Sequence, residues 1–315
     1  MARYILKRIV SAIPVLLIVI FIVFFVVRML PGNVAVMILG KEATPEALAT
    51  LEETLGLNEP IFNQFINYIV DLCHGDLGTS LYNGVPVLEN ITARLEPTFL
   101  IMVLSILISV VIGIPIGIIG AVKRNSLADY SLMSVSVLGL SVPVFWTSIM
   151  LAFYVGAIWK VLPTGGYKPI SDVGLWGSLQ YVILPSIALG FQSVASIARY
   201  TRSTMLDVLN NDYITTAWAK GIPKPKVLYV HALKNAMSPV ITHLGANIAS
   251  LLGGACVCET VFNINGMGKL AYDSLMRRDY PQVQAIILVV ALIYIVVNLL
   301  VDILYKVFDP RVDLS

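Results

Sequence analysis

The sequence predicts an all-α protein, a polytopic transmembrane helical bundle of about six spans with a small extracytoplasmic helical cap between spans one and two. Three observations carry this. Of 315 residues, 57% are hydrophobic and 13% charged, whereas soluble domains run near a quarter charged. Long apolar runs recur along the chain, and about 20 such residues cross the ~30 Å of hydrocarbon in a bilayer. Lys and Arg are divided unevenly between the loops that join those runs. The net charge of +2 argues for neither nucleic acid nor an acidic partner. Cys73, Cys256 and Cys258 give no disulfide framework and no zinc spacing.

The first element begins with Arg3, Lys7 and Arg8 and then an apolar run from Ile9 to Val27. That run is too long for a signal-peptide core, and Arg28-Met-Leu-Pro31 follows it instead of a small-residue cleavage site, so it reads as a retained signal anchor. The predicted spans are 9–29, 98–121, 130–158, 180–202, 238–262 and 283–307. The third contains Pro143 and the fourth Pro185, both tolerable where neighbouring helices satisfy freed backbone groups. Gln192, Ser193, Ser196, Asn247 and Ser250 interrupt the fourth and fifth spans and must face protein or water. With the N-terminus inside, 13 Lys and Arg residues fall on the inner side and 8 on the outer. Lys41, Arg277 and Arg278 are among the outer ones, Lys306 and Arg311 among the inner. This favours both termini on the inner, cytoplasmic side of the membrane.

The chain thus divides into a stub and first span (1–30), an extracytoplasmic cap (31–95) and a core (96–315). In the cap, Thr44-Pro45-Glu46 is a helix start with a capping hydroxyl, proline and an acid. A second amphipathic helix runs from about Ile61 to Cys73, and Gly75-Asp-Leu-Gly-Thr-Ser80 breaks it. The loop after span four, about 203–239, is the most informative stretch. Asn211 or Asp212 is placed to cap a short helix, Gly221 to end it, and Pro223 and Pro225 to open a second short helix toward Asn235. Charge alone supports only a basic surface loop; the Gly, Pro and small residues add a compact rigid knob.

At this loop the sequence resembles the inner-membrane permeases of binding-protein-dependent ABC importers. Their signature is an acid-Ala-Ala group, a Gly four residues on, and an apolar-x-Leu-Pro group. Gly221, Ala217 and Leu233 match it, while Thr215, Thr216, His231 and Lys234 depart from it. The departures, in Ala217-Trp-Ala-Lys-Gly221 and His231-Ala-Leu-Lys-Asn235-Ala236, look like the dipeptide/oligopeptide/nickel branch. So do Arg3-Tyr4, Gly75-Asp-Leu-Gly-x-Ser80, Arg94-Leu-x-x-Thr98, Glu259-Thr-Val-Phe262, Arg278-Asp-Tyr-Pro281 and Asp309-Pro-Arg311.

The resemblance implies a coupling helix seated on a cytoplasmic ATPase, with Tyr213, Thr216, Ala217, Ala219, Lys220, Gly221, His231, Leu233 and Asn235 as ATPase-coupling candidates. His231 has the alternative of a packed core residue. The resemblance also implies a second homologous permease subunit, two ATPase subunits, an extracytoplasmic solute-binding protein, and surrounding lipid. No cofactor is expected in this chain; ATP and Mg belong to the ATPases. The nearest approach to a phosphate loop, Asn263-Ile-Asn-Gly-Met-Gly-Lys-Leu270, lacks the first Gly and the Ser/Thr that holds magnesium.

Translocation-path candidates are Gln192, Ser193, Ser196, Asn247 and Glu259, although membrane Ser and Asn also join helices. Glu259 reads either as a functional intramembrane acid or as an acceptor for the Asn263–Gly268 turn. Asp302 reads as an acid that snorkels or pairs near the inner surface. A peptide-like solute is expected, with nickel or a nickel chelate as the alternative; His74, His231 and His243 are scattered rather than clustered. Two other classes compete: an ion-coupled secondary transporter, which wants path acids and internal repeats, and an intramembrane hydrolase, which wants a nucleophile and base on neighbouring spans.

Overall fold

The computed structural model describes residues 2–29, 34–40 and 43–308. Pro31, Lys41 and Asp309-Pro-Arg311 lie outside them, as do the side chains of Arg3, Tyr4 and Lys306. The elements are all helical: α1 (Ala2–Met29), α2 (Val34–Leu39), α3 (Pro45–Thr54), α4 (Ile61–Cys73), α5 (Val87–Val122), α6 (Leu127–Ser141), α7 (Val144–Ile158), α8 (Ile170–Leu209), α9 (Asp212–Ala219), α10 (Lys224–Val261), α11 (Met267–Met276) and α12 (Tyr280–Phe308). Helices α1, α5, α8, α10 and α12 are each long and apolar enough to cross a membrane, and α6 with α7 makes a sixth if the bent pair is one span.

The helices outrun the apolar segments that predict them. α5 has 36 residues, and α8 runs 35 residues beyond a kink at Gly174, where φ is +69°, about 54 and 52 Å at 1.5 Å per residue. Both project well past a hydrocarbon layer of ~30 Å. The third predicted span is not straight: α6 and α7 meet at 98°. Val142 and Pro143 are both extended there, because a proline disfavours helical backbone in the residue before it. Pro185, by contrast, stays inside α8.

α5 and α8 form the central seam. Their facing positions are small: Ser105, Ser109, Gly113 and Gly117 against Ser186, Gly190, Ala198 and Thr201. Ser105 donates to the carbonyls of Ile101 at 2.7 Å and Ser186 at 3.1 Å. A Cβ on Gly117 would lie 2.6 Å from the Ala198 carbonyl oxygen. Small residues let two backbones approach where apolar burial gives no drive, since lipid is as apolar as Leu. At one end of the seam Ile101, Leu184, Leu251 and Phe262 are buried together. At the other, Met205, Ile214, Val227 and Ala236 are.

The cap closes the first end. Thr44 accepts from the Ala47 N–H at 3.3 Å and Pro45 opens α3, as the sequence predicts. Two motifs far apart in sequence turn out to be one contact. The Ser80 hydroxyl donates to Asp279 Oδ2, the Leu81 N–H to Asp279 Oδ1 at 3.0 Å, and Gly78 faces Pro281. At the opposite end Arg8 pairs with Asp302 at 2.8 Å, tying α1 to α12.

Candidate functional site

The end of the bundle away from the cap carries a knob. α8 stops at Leu209, and α9 starts behind Asn211 in extended backbone. Asn211 holds the N-cap position, but its side chain donates back to the Asp207 carbonyl at 3.3 Å. α9 ends in a Schellman turn: Gly221 N–H bonds the Trp218 carbonyl at 2.9 Å and Ile222 N–H the Ala217 carbonyl at 3.3 Å. Gly221 has φ of +73°, where a Cβ is penalised.

The expected second short helix is instead the start of α10, which runs unbroken to Val261. Within it Val227–Ala232 is wound as a π-helix, whose extra residue per turn rotates the faces that follow. The knob is therefore joined to the following span with no intervening loop after Pro223.

Ile214 and Ala217 are buried against Ile118 and Ala121 of α5, Met205 of α8, and Val227 and Ala236 of α10. Tyr213, Thr216, Ala219, Lys220 and Gly221 are exposed. The Asn235 amide donates to the Tyr213 hydroxyl at 3.0 Å and to the His231 carbonyl at 2.8 Å. His231 and Leu233 are half-buried. Ala217 is thus a spacer under the knob, not part of its outer face. Trp218, exposed beside it, escapes the signature because only its size marks it.

Midway along the bundle α8 and α10 share a polar seam. Gln192, Ser196 and Tyr200 stand four apart on one face of α8. Ser196 and His243 are hydrogen-bonded at 2.8 Å, and the Tyr200 ring stacks on the imidazole at 4.3 Å. The Asn247 amide donates to the His243 carbonyl at 3.0 Å, and Gln192 reaches the Leu140 carbonyl of α6 at 3.4 Å. Ser193 is turned away and buried. His74 lies in the cap and His231 in the knob, so the three histidines do not meet.

Glu259 stands apart from that seam, at the cap end of α10, and is 0% exposed. Its Oε1 accepts from the Thr98 hydroxyl at 2.6 Å and its Oε2 from the Lys269 N–H at 2.8 Å. The Met267 N–H donates to Thr98 Oγ1 at 2.8 Å. The carboxylate therefore occupies the N-terminus of α11, where the helix dipole favours negative charge, and a Cβ on Gly266 would run into it. The phosphate-loop-like stretch has its anion position filled by the chain itself. Nearby, Tyr167 donates to Glu96, which also accepts from the Ile170 N–H at 2.7 Å. Burial, then the bond to Glu96, pushes the Tyr167 phenol up from its ordinary value.

Helices long and apolar enough to cross a membrane, a cap at one end and a rigid exposed turn between two of them at the other make this a polytopic helical membrane bundle. The chain belongs to the family described as the binding-protein-dependent transport system inner membrane component, whose model matches residues 113–314; the model of the family's N-terminal region matches residues 1–102. It is a multi-pass inner-membrane permease of the ABC-importer type. It is 41% identical to the dipeptide transport system permease protein of Alkalihalophilus pseudofirmus, and 38% identical to that of Escherichia coli K12, over 99% of both chains in each case. It is 42% identical to the glutathione transport system permease protein of Salmonella choleraesuis, again over 99% of both. Among solved structures it resembles the inward-facing MetNI methionine ABC transporter, with a TM-score of 0.58 and 14% identity over 70% of this chain and 97% of that one. That likeness shows a shared fold.

Proposed function

We propose that this chain forms half of the path by which a peptide-like solute, delivered by a binding protein, crosses the membrane, and that ATP is hydrolysed by partner subunits seated on α9. A second homologous permease completes the path, two ATPase subunits carry ATP and Mg, and both termini face the cytoplasm. The observation that carries this is the construction of the knob. One face of α9 is fixed by Ile214 and Ala217 to the ends of α5, α8 and α10, while Tyr213, Thr216, Lys220 and Gly221 face outward. A groove that pushes the outward face moves three long helices as a body. The peptide assignment is supported by relatives whose names specify dipeptide and glutathione transport. Ser196, Tyr200 and His243, with Gln192 and Asn247 adjoining, are the side chains in this chain that would contact the solute in transit.

The test is Gly221→Pro in the complete transporter reconstituted with its binding protein. Proline holds φ near −65°, against the +73° of Gly221, and deletes the N–H that bonds Trp218. The variant is expected to insert and assemble in the membrane but to lose ATP-driven peptide uptake. Unaltered uptake overturns the coupling assignment.

A further inference from the structure

The cap helix α4 has three faces, and only two are accounted for. Phe65 and Tyr68 turn toward α1, where Phe65 meets the rings of Phe21 at 5.7 Å and Phe24 at 5.1 Å. Asn63, Asn67 and Asp71, each four residues on, are exposed and polar. The third face carries Phe62, Ile66 and Val70, 67%, 57% and 48% exposed. Large apolar side chains held on such an arc in water would be an unexplained cost.

We infer that α4 lies in the cap-side leaflet of the bilayer, with Phe62, Ile66 and Val70 among the acyl chains and Asn63, Asn67 and Asp71 toward water. Depth supports this. Phe21 is eight residues before the end of α1 at Met29, about 12 Å along the axis. A helix packed from there to Arg28 sits at the depth of about 5–10 Å typical of interfacial amphipathic helices. Continuity supports it too. The apolar arc adjoins the exposed Phe21, Ile22 and Val26 of α1, with Phe62 and Phe25 ring to ring at 6.2 Å. Chemistry separates lipid from a partner chain. Helix–helix contacts in membranes favour small residues, as in the α5–α8 seam, and this arc has none. The placement also explains Arg28, a cation at the end of a span. Its guanidinium lies over the Phe24 ring at 3.6 Å and donates to Gln64 at 3.0 Å, so α4 screens it from the hydrocarbon while covering the outer turns of α1.

The experiment uses the full transporter in lipid nanodiscs. A nitroxide is attached through a genetically encoded keto amino acid, one position at a time, at Phe62, Ile66 and Val70, and at Asn63 and Asn67. At 62, 66 and 70, collision with oxygen is expected to exceed collision with a water-soluble nickel chelate; at 63 and 67 the order is expected to reverse. Free access of the nickel chelate at all five positions overturns the inference, because α4 then stands in water. Exclusion of both reagents at 62, 66 and 70 overturns it as well, because a partner chain then covers the arc. Neither result bears on whether uptake needs the knob, so this inference and the proposed function fail separately.

Discussion

Glu259 shows how one side chain in a membrane protein can look functional and be architectural. Its carboxylate is wholly buried, yet both oxygens are satisfied, by the Thr98 hydroxyl and the Lys269 N–H. Glu259→Ala removes the acceptor from the first turn of α11 and leaves buried donors unpaired, each costing roughly 1–3 kcal/mol. The chain is expected to lose about 2–3 kcal/mol, seen as a lower midpoint in thermal denaturation in detergent. Glu259→Gln keeps an acceptor and is expected to lose less. An equal, full-sized loss in Gln and in Ala would show that the charge, not the capping, matters. The sequence left both readings of Glu259 open, since an acid seven residues from Gly266 reveals nothing of Thr98, 161 residues away. The Ser196–His243 bond was hidden for the same reason: its partners are 47 residues apart, and each alone is an ordinary membrane polar residue.

At the scale of elements, hydropathy located the spans because burying a backbone in lipid demands a continuous apolar helix. It could not locate their ends. The first turns of α5 hold Glu89, Asn90, Arg94 and Glu96, a polar run that looks like loop and is helix beyond the bilayer. Nor could it separate the proline that breaks a span from those that do not: Pro14, Pro97, Pro115, Pro185 and Pro239 lie inside helices, whereas Pro143 stands in extended backbone between α6 and α7. Small residues carry clearer information once the contacts are known. Gly117→Val places branched carbons where the Ala198 carbonyl and Thr201 already sit, and overpacking of this kind costs about 1–3 kcal/mol. The variant is expected to lower folded yield and thermal midpoint in detergent. Gly253→Val is the comparison, because nothing lies within 4 Å of a Cβ there; an equal loss in both would remove the α5–α8 seam from the explanation.

Across the whole molecule, the proposed push on the knob has to reach α6 and α7 as well, whereas α9 packs on α5, α8 and α10. Besides the packing of α6 and α7 on α8, one connection is an ion pair. Arg202 of α8 holds Asp129 of α6 through two bonds of 2.6 Å, from Nε to Oδ1 and from Nη2 to Oδ2. Asp129 also accepts the Asn125 N–H at 3.0 Å, which fixes the turn between α5 and α6. A planar guanidinium bound this way sets an orientation as well as a distance. Asp129 is 1% exposed and Arg202 25%, so removing the acid strands a partly buried cation. Breaking a fully buried pair costs about 3–5 kcal/mol; with Arg202 able to reach water, Asp129→Ala is expected to cost about 2–3 kcal/mol. Asp129→Asn with Arg202→Gln restores a neutral hydrogen-bonded pair and is expected to recover part of the stability but little of the transport. In the reconstituted importer, ATP hydrolysis should then continue while solute uptake falls, because α8 still follows the knob and α6 follows α8 less tightly. Uptake and hydrolysis that fall together, in proportion to folded protein, would reduce the pair to a stabilising contact and leave α6 and α7 to be moved through their packing on α8 and α10.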